Sequence, residues 1–207
     1  MRTGIVFHEL YLWHDTGNHA DYVPYGFPVE PFKHSENPDA KRRIKNLMEV
    51  SGLYEKLFQI TPRKATKDEI LLFHTENHFE HIKSLNNSIT IDAGITTPTG
   101  IGSFDIALLS AGGVIEAIDH VIDEKVNNAY ALVRPPGHHA MPNKAMGFCI
   151  FGNAAIAGKH ALKNKDLHKI AFIDWDVHHG NGTQAAFYSD SNACLLYTSP
   201  SPRDSDQ

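Results

Sequence analysis

KIAFIDWDVHHGNG, residues 169–182, opens with a β-rich apolar run, Lys169–Ile173, and closes on acids, histidines and glycines. Such a run suits a buried strand and is too short for a helix. Asp174, Asp176 and His178 stand at i, i+2 and i+4, so in an extended segment their side chains point to one face. They lie at the C-terminal end of the run, where parallel α/β sheets place their sites. Working outward, Gly4–Phe7 and Ala129–Val133 read as further strands, the second ended by Arg134-Pro135-Pro136-Gly137. Helical patterns separate them. Phe104–Asp123 repeats Ala107, Leu108, Ala111, Val114, Ile115, Ile118, Val121 and Ile122 at helical spacing. Asn37-Pro38 reads as an N-cap and first turn, before a helix with Ile44, Leu47 and Met48 as its apolar face. Thr66-x-x-Glu69 is a capping box ahead of Ile70, Leu71 and Phe73. Asn153–Lys163 and a shorter stretch after Gly182 complete the helices. Strands alternating with helices predict an α/β fold with a mainly parallel sheet. Tyr11–Phe32, with Pro24, Pro28 and Pro31, reads as a long loop of the kind that often carries function.

Composition narrows the class. The 207 residues, 42% hydrophobic and 21% charged, suit one globular domain. A net charge of −5 without a Lys/Arg-rich run argues against nucleic-acid binding. Two cysteines, Cys149 and Cys194, build neither a disulfide framework nor a four-cysteine zinc site, and they suit a reducing compartment. His8 and Glu9 interrupt the N-terminal apolar run, so it is not a signal peptide. No apolar stretch approaches the ~20 residues of a membrane span. The expectation is an intracellular, cytoplasmic location, with nuclear entry left open.

Fourteen histidines invite a search for metal or acid–base chemistry. Asp174, Asp176 and His178 offer carboxylates and an imidazole on one face, a set that suits Zn²⁺ or a similar divalent ion. The plainer reading, an aspartate capping the next helix, explains one acid and not the set. RPPGHHA, residues 134–140, delivers His138 and His139 at another strand end, a pair suited to two separate roles. MGFC, residues 146–149, puts an aromatic beside a glycine, either as a pocket wall or as core. Cys149 reads as a small buried hydrophobe. His74, His78 and His81 fall at i, i+4 and i+7 but lack the glutamate of the zinc-protease motif, so they read as a solvated or partly packed helix face.

Together, RPPGHHA at 134–140, MGFCIFGNAA at 146–155 and DWDVHHGNGTQ at 174–184 resemble the histone deacetylase family, in its class II branch and its bacterial-type amidohydrolase relatives. KHSENPDAKRR at 33–43 and LSAGG at 109–113 add to the likeness, which runs from Gly4 to about Asn192. The resemblance implies a three-layer arginase/deacetylase fold. It implies hydrolysis of the acetamide of N-acetyl-lysine in a protein, or of a related amine such as an acetylated polyamine, with Zn²⁺ bound. By position, Asp176 and His178 are two zinc ligands, His139 is the general acid–base, and His138 is its partner, oriented by Asp174. Asn181 stands near His139, and asparagine there is the class II choice. Phe148 lines the acyl-lysine tunnel, and the Gly147 carbonyl receives the substrate amide N–H. Asp174, with the Asp176 and His178 carbonyls, contributes to a monovalent-cation (K⁺) site. Arg42 lies near an acetate exit channel.

The chain also departs from the family. The third zinc ligand, an aspartate, and the tyrosine that stabilises the oxyanion are expected from later strands and have no counterpart here; Tyr188 and Tyr197 stand in the wrong context. Two ligands hold zinc weakly beside the usual three, and loss of an oxyanion donor costs ~10²–10³ in rate. CLLYTSPSPRD at 194–204 resembles translated adaptor sequence. The expected organisation is therefore the N-terminal part of a deacetylase domain at 1–193 and a foreign or disordered tail at 194–207. Such a chain is expected to lack part of its sheet, to dissolve poorly and to be inactive as it stands. The competing functions are a non-catalytic acetyl-lysine binder and, less well matched, a two-metal ureohydrolase.

Overall fold

The structure is a computed structural model that describes residues 1–18, 28, 30–165 and 167–197. Strand β1 (Thr3–Val6) is its centre: Ile5 and Val6 are fully buried, and β1 pairs in parallel with β2 (Phe58–Ile60) on one side and β6 (Asn128–Ala131) on the other. A second parallel ladder joins β8 (Ile170–Asp174) to β9 (Ala193–Tyr197). The expected strands are all present, and the sheets are mainly parallel. Short pairs complete the set. β3 (Ile91–Asp92) runs antiparallel to β5 (Pro98–Thr99), and β4 (Gly94–Ile95) runs parallel to β7 (Ala145–Met146).

One helical layer supports both ladders. The long helix between β5 and β6, Ser103–Ile122, buries Ala107, Ala111 and Ile115 and packs on β1, on β6 and on the helix Asn153–Asn164. In chain order the helices are α1 (Asp39–Val50), α2 (Lys67–Ile70), α3 (Glu76–Ser84), α4 (Ser103–Ile122), α5 (Asn153–Asn164) and α6 (Asn181–Phe187). The Thr66–Glu69 capping box forms as read, although α2 is a single turn. The main core gathers Phe73, Phe79, Phe104, Ile150, Phe151 and Ile156 from these elements. The strand layer is less continuous than the helices beneath it. Among the described residues β6 and β8 share no ladder. A cleft of 450 Å³ lies between them, with Val133, Phe172 and Ile173 among its walls and Val114 and Ala154 from α4 and α5.

Three readings are corrected here. First, Ile44 and Leu47 do not bury a face of α1, which has no buried residue; Leu47 is 70% exposed. The inward positions instead carry Lys45, whose ammonium lies over the Phe7 and Tyr54 rings, so a lysine stem replaces the expected aliphatic contact. Second, residues 194–197 are not a disordered tail: they continue β9, because Ala193, Leu195 and Tyr197 alternate inward against β8. Residues 198–207, and residues 19–27 and 29 of the stretch read as a long loop at Tyr11–Phe32, lie outside the described residues.

Third, the His74, His78, His81 stripe is partly packed, with His81 exposed, but it is not one helix face. His74 precedes α3, and both it and His78 are buried with ring centroids 4.8 Å apart. His74 Nε2 accepts from the Gly152 N–H (2.9 Å), so its Nδ1–H faces the Pro142 carbonyl (3.3 Å). His78 Nε2 donates to the Ile150 carbonyl (2.9 Å), and the more exposed His81 donates to the Ala93 carbonyl (3.1 Å). Three histidines thus brace loops that a purely apolar helix would leave without hydrogen-bond partners. Arg42 lies exposed on α1, paired with Asp39 at 2.8 Å.

The buried arginine is Arg134, fully inaccessible and paired with Glu36 through two 2.9 Å contacts. It also donates to the carbonyls of His14 (2.6 Å), Tyr11 (3.2 Å) and Glu36 (3.2 Å). One guanidinium therefore ties the loop after β6 to both the 9–14 turn and the segment entering α1. Glu36→Ala should lower unfolding free energy by about 3–5 kcal/mol in urea denaturation, because a buried cation is left without its counter-charge. His74 generates a pH prediction. Burial, reinforced by the adjacent His78 ring, lowers its pKa to about 3. The fold holds the neutral ring, so its contribution is complete above the unfolded value near 6.5 and is lost as pH falls below it. Stability should drop by about 2 kcal/mol between pH 7.5 and 5 from this group, with His78 acting in the same direction, and His74→Gln should flatten that slope in a denaturation series.

Candidate active site

Two strand ends meet. The loop leaving β6 carries His138 and His139, while β8 ends on Asp174 and the loop leaving it carries Asp176 and His178. His138 Nδ1–H donates to Asp174 Oδ2 at 3.0 Å, which joins the two strand ends directly. His139 Nδ1–H donates to Asn181 Oδ1 at 2.6 Å. The Asn181 amide nitrogen faces the Met141 and Met146 sulfurs at 3.2 and 3.5 Å, so its oxygen is the atom left for His139. Each imidazole is thereby fixed in one tautomer, with Nε2 as its basic nitrogen. Their centroids lie 4.0 Å apart, and the His178 ring lies 5.9 Å from His139.

The start of α6 sets this geometry. The Gly182 and Thr183 N–H groups both donate to the His138 carbonyl, at 2.8 and 3.2 Å. A Cβ on Gly182 would stand 2.2 Å from the Ala140 carbonyl oxygen, so only glycine lets the helix approach the histidine loop this closely. On the other side Gly147, at φ +54°, lies against His139, where a Cβ would meet the ring at 2.5 Å.

Asp176 and His178 face each other: Asp176 Oδ1 accepts from the His178 N–H at 2.8 Å and stands 3.1 Å from His178 Nδ1. Two donors, each ~2.0–2.1 Å from a tetrahedral zinc, stand roughly 3.3 Å apart, so the spacing suits two ligands of one ion. No third His, Cys, Asp or Glu completes a metal-binding group with them among the described residues. Burial acts to raise the Asp176 carboxyl, but the His178 N–H and the His138 and His178 rings outweigh it and hold the group below the usual carboxylate range. Burial pushes His139 below its ordinary value; the His138 and His178 rings add to this, and the Asn181 oxygen opposes it. His139 is therefore neutral at neutral pH and able to accept a proton. Cys149 is wholly buried with its thiol pushed up to about 12, which fits the inert reading.

His138, His139, Asp176 and His178 border one cleft of 420 Å³, whose walls include Pro136, Gly147, Phe148 and Thr96, with Glu36 and Lys41 from the α1 side. The structure thus brings His138, His139, Asp174, Asp176, His178, Asn181, Gly147 and Phe148 together and leaves Arg42 outside the cleft. It adds His34, which the sequence reading missed. His34 is buried edge-on against Phe148 at 4.9 Å and accepts the Glu36 N–H on Nδ1 at 3.0 Å. Its signal was the HSEN run at 34–37, quoted for its likeness but given no role.

Residues 34–199 match the histone deacetylase domain family. The chain belongs to the histone deacetylase family. It is 44% identical over 190 residues to the histone deacetylase-like amidohydrolase of Pseudomonas aeruginosa, covering 90% of this chain and 50% of that protein. It is 37% identical to a probable deacetylase of Archaeoglobus fulgidus, over 98% of this chain and 52% of that one. It superposes on the HDA15 HD domain with a TM-score of 0.83 at 32% identity, covering 95% of this chain and 53% of that one. The α/β architecture is thus the deacetylase fold, and the chain spans about half the length of these relatives. In this histone deacetylase-family site the start of α6 is the tightest packing constraint. Gly182→Ala should cost about 1–3 kcal/mol, read by denaturation, and should shift the His138 and His139 ring signals in NMR.

Proposed function

We propose that the protein is a zinc-dependent amidohydrolase of the class II type, cleaving the acetamide of N-acetyl-lysine in a protein or of a related amine such as an acetylated polyamine. One observation carries the reading. Two imidazoles, each fixed in one tautomer by an oxygen acceptor, share a cleft with an aspartate–histidine pair 3.1 Å apart. Asp176 and His178 would hold the zinc, and their donor types and spacing suit it. Bound there, zinc supplies Lewis acidity toward an amide carbonyl and makes water easier to deprotonate at neutral pH. His139 takes that proton at Nε2 and returns it to the leaving amine nitrogen. Asp174 holds the His138 ring in place, and its carboxylate stabilises charge on that ring. Phe148 walls the slot beside the methylene stem, and the Gly147 carbonyl accepts the substrate amide N–H. Asp174, with backbone carbonyls of Asp176 and His178, offers the oxygen ligands that K⁺ prefers. A cytoplasmic location belongs to the same reading.

The other half of the relatives' length is where the remaining zinc ligand and an oxyanion donor would come from, so the 207-residue chain alone is proposed to bind zinc weakly and to be inactive. A non-catalytic acetyl-lysine binder is the second reading, favoured by the two-donor metal site among the described residues. The test is acetate release from an acetyl-lysine peptide and from an acetylated polyamine. It should be run with zinc, on this chain and on the product of the source gene read on past the codon for Asp190. The longer product should turn over, and His139→Ala or Asp176→Ala should each reduce its rate at least ~10²-fold. A longer product that binds zinc and releases no acetate would overturn the hydrolase reading, and a source gene that itself ends at Gln207 would favour the binder.

A further inference from the structure

Asp92 lies outside the catalytic cleft, yet the cleft wall depends on it. Its carboxylate accepts three backbone N–H bonds within its own loop: Gly94 (3.0 Å) and Thr97 (2.8 Å) on Oδ1, and Thr96 (3.1 Å) on Oδ2. The loop it closes is strained. Thr96 sits at φ +48°, an outlier for a β-branched residue, and Thr96 borders the cleft. From there the bonding continues into the adjoining segment of the wall. The Ile95 carbonyl accepts the Gly147 N–H (3.0 Å), and the Thr96 carbonyl accepts the Phe148 N–H (3.0 Å). Phe148 is itself left-handed, at φ +69°. Two uncommon backbone conformations in one stretch of the slot wall are thus joined by a single carboxylate and two carbonyls.

We propose that Asp92 is a specificity-determining positioning residue: it holds Thr96 and, through the Ile95 and Thr96 carbonyls, fixes Gly147 and Phe148, and so sets the width of the slot to that of one unbranched acyl-lysine stem. The proposal rests on the amidohydrolase reading of the cleft. Three charge-assisted bonds to one carboxylate are what a loop needs to keep a β-branched residue at positive φ. Without them Thr96 relaxes to negative φ, its carbonyl turns, and the Phe148 N–H loses its acceptor.

Asp92→Ala and Asp92→Asn test this, with Thr66→Ala as a variant that weakens a distant helix cap. Amide exchange by NMR should quicken at least tenfold at Gly94, Thr96 and Thr97 in Asp92→Ala, with Gly147 and Phe148 following and Ile5 unchanged. Asp92→Asn keeps one acceptor oxygen but turns an amide N–H toward Thr96. It should release Thr96 and Phe148 while Gly94 and Thr97 stay protected. The second readout is binding of an acetyl-lysine peptide against one whose lysine stem carries a methyl branch. Wild type should prefer the unbranched peptide, and Asp92→Ala should reduce that preference about tenfold while Thr66→Ala leaves it unchanged. Faster exchange at 94–97 with Gly147 and Phe148 unmoved would overturn the clamp. So would wild-type binding with the same preference in Asp92→Ala. Wild type that binds neither peptide would overturn the amidohydrolase reading together with the slot assigned to it.

Discussion

A guanidinium taken fully out of water is the constraint on which the rest of this structure depends. Arg134 makes no contact with solvent, so each of its donors must be met by protein. The partners come from two separate places: Glu36, through both its carboxylate and its carbonyl, and the carbonyls of the 9–14 turn. None is optional, since an unmet charge in this environment costs more than any surface contact returns. The loop that follows Arg134 is therefore anchored before it reaches His138, and the HSEN segment is anchored with it. His34 sits beside Phe148 because Glu36, two residues on, must sit on Arg134.

The histidines divide by surroundings rather than by spacing. His74 and His78 brace carbonyls and an N–H in the core, and their low basicity follows from that burial. His138 and His139 hold their rings on side-chain oxygens at the edge of a cleft. The residue type is the same in both cases; what differs is whether a free nitrogen can reach something that enters from outside.

Much of the fold was legible because it is written in short contiguous patterns. Gly4–Phe7, Ala129–Val133 and Lys169–Ile173 are β-rich runs, and each became a strand within a residue or two. The site was legible for a similar reason: its residues come from three runs, and each run follows one strand or turn. What stayed hidden depends on partners far apart in the chain. Arg134 and Glu36 are 98 residues apart, and nothing local marks either as buried. Ile44 and Leu47 have helical spacing, but which face of α1 turns inward was decided by Lys45 lying over two aromatic rings. His74 looked like part of a helical stripe and lies before the helix. Leu195 and Tyr197 stand in a run that resembles adaptor sequence, yet their alternation is enough to extend a ladder.

The gap between β6 and β8 has a consequence for how the site comes into being. Each ladder can form its own backbone hydrogen bonds without the other, and each then presents half of the histidine–aspartate set. The halves come into register only when α5 docks on α4 and His138 reaches Asp174. The geometry of the site is thus a product of tertiary assembly rather than a property of either secondary-structure unit. A folding intermediate could show every strand and helix in circular dichroism and still hold no ordered pair of imidazoles.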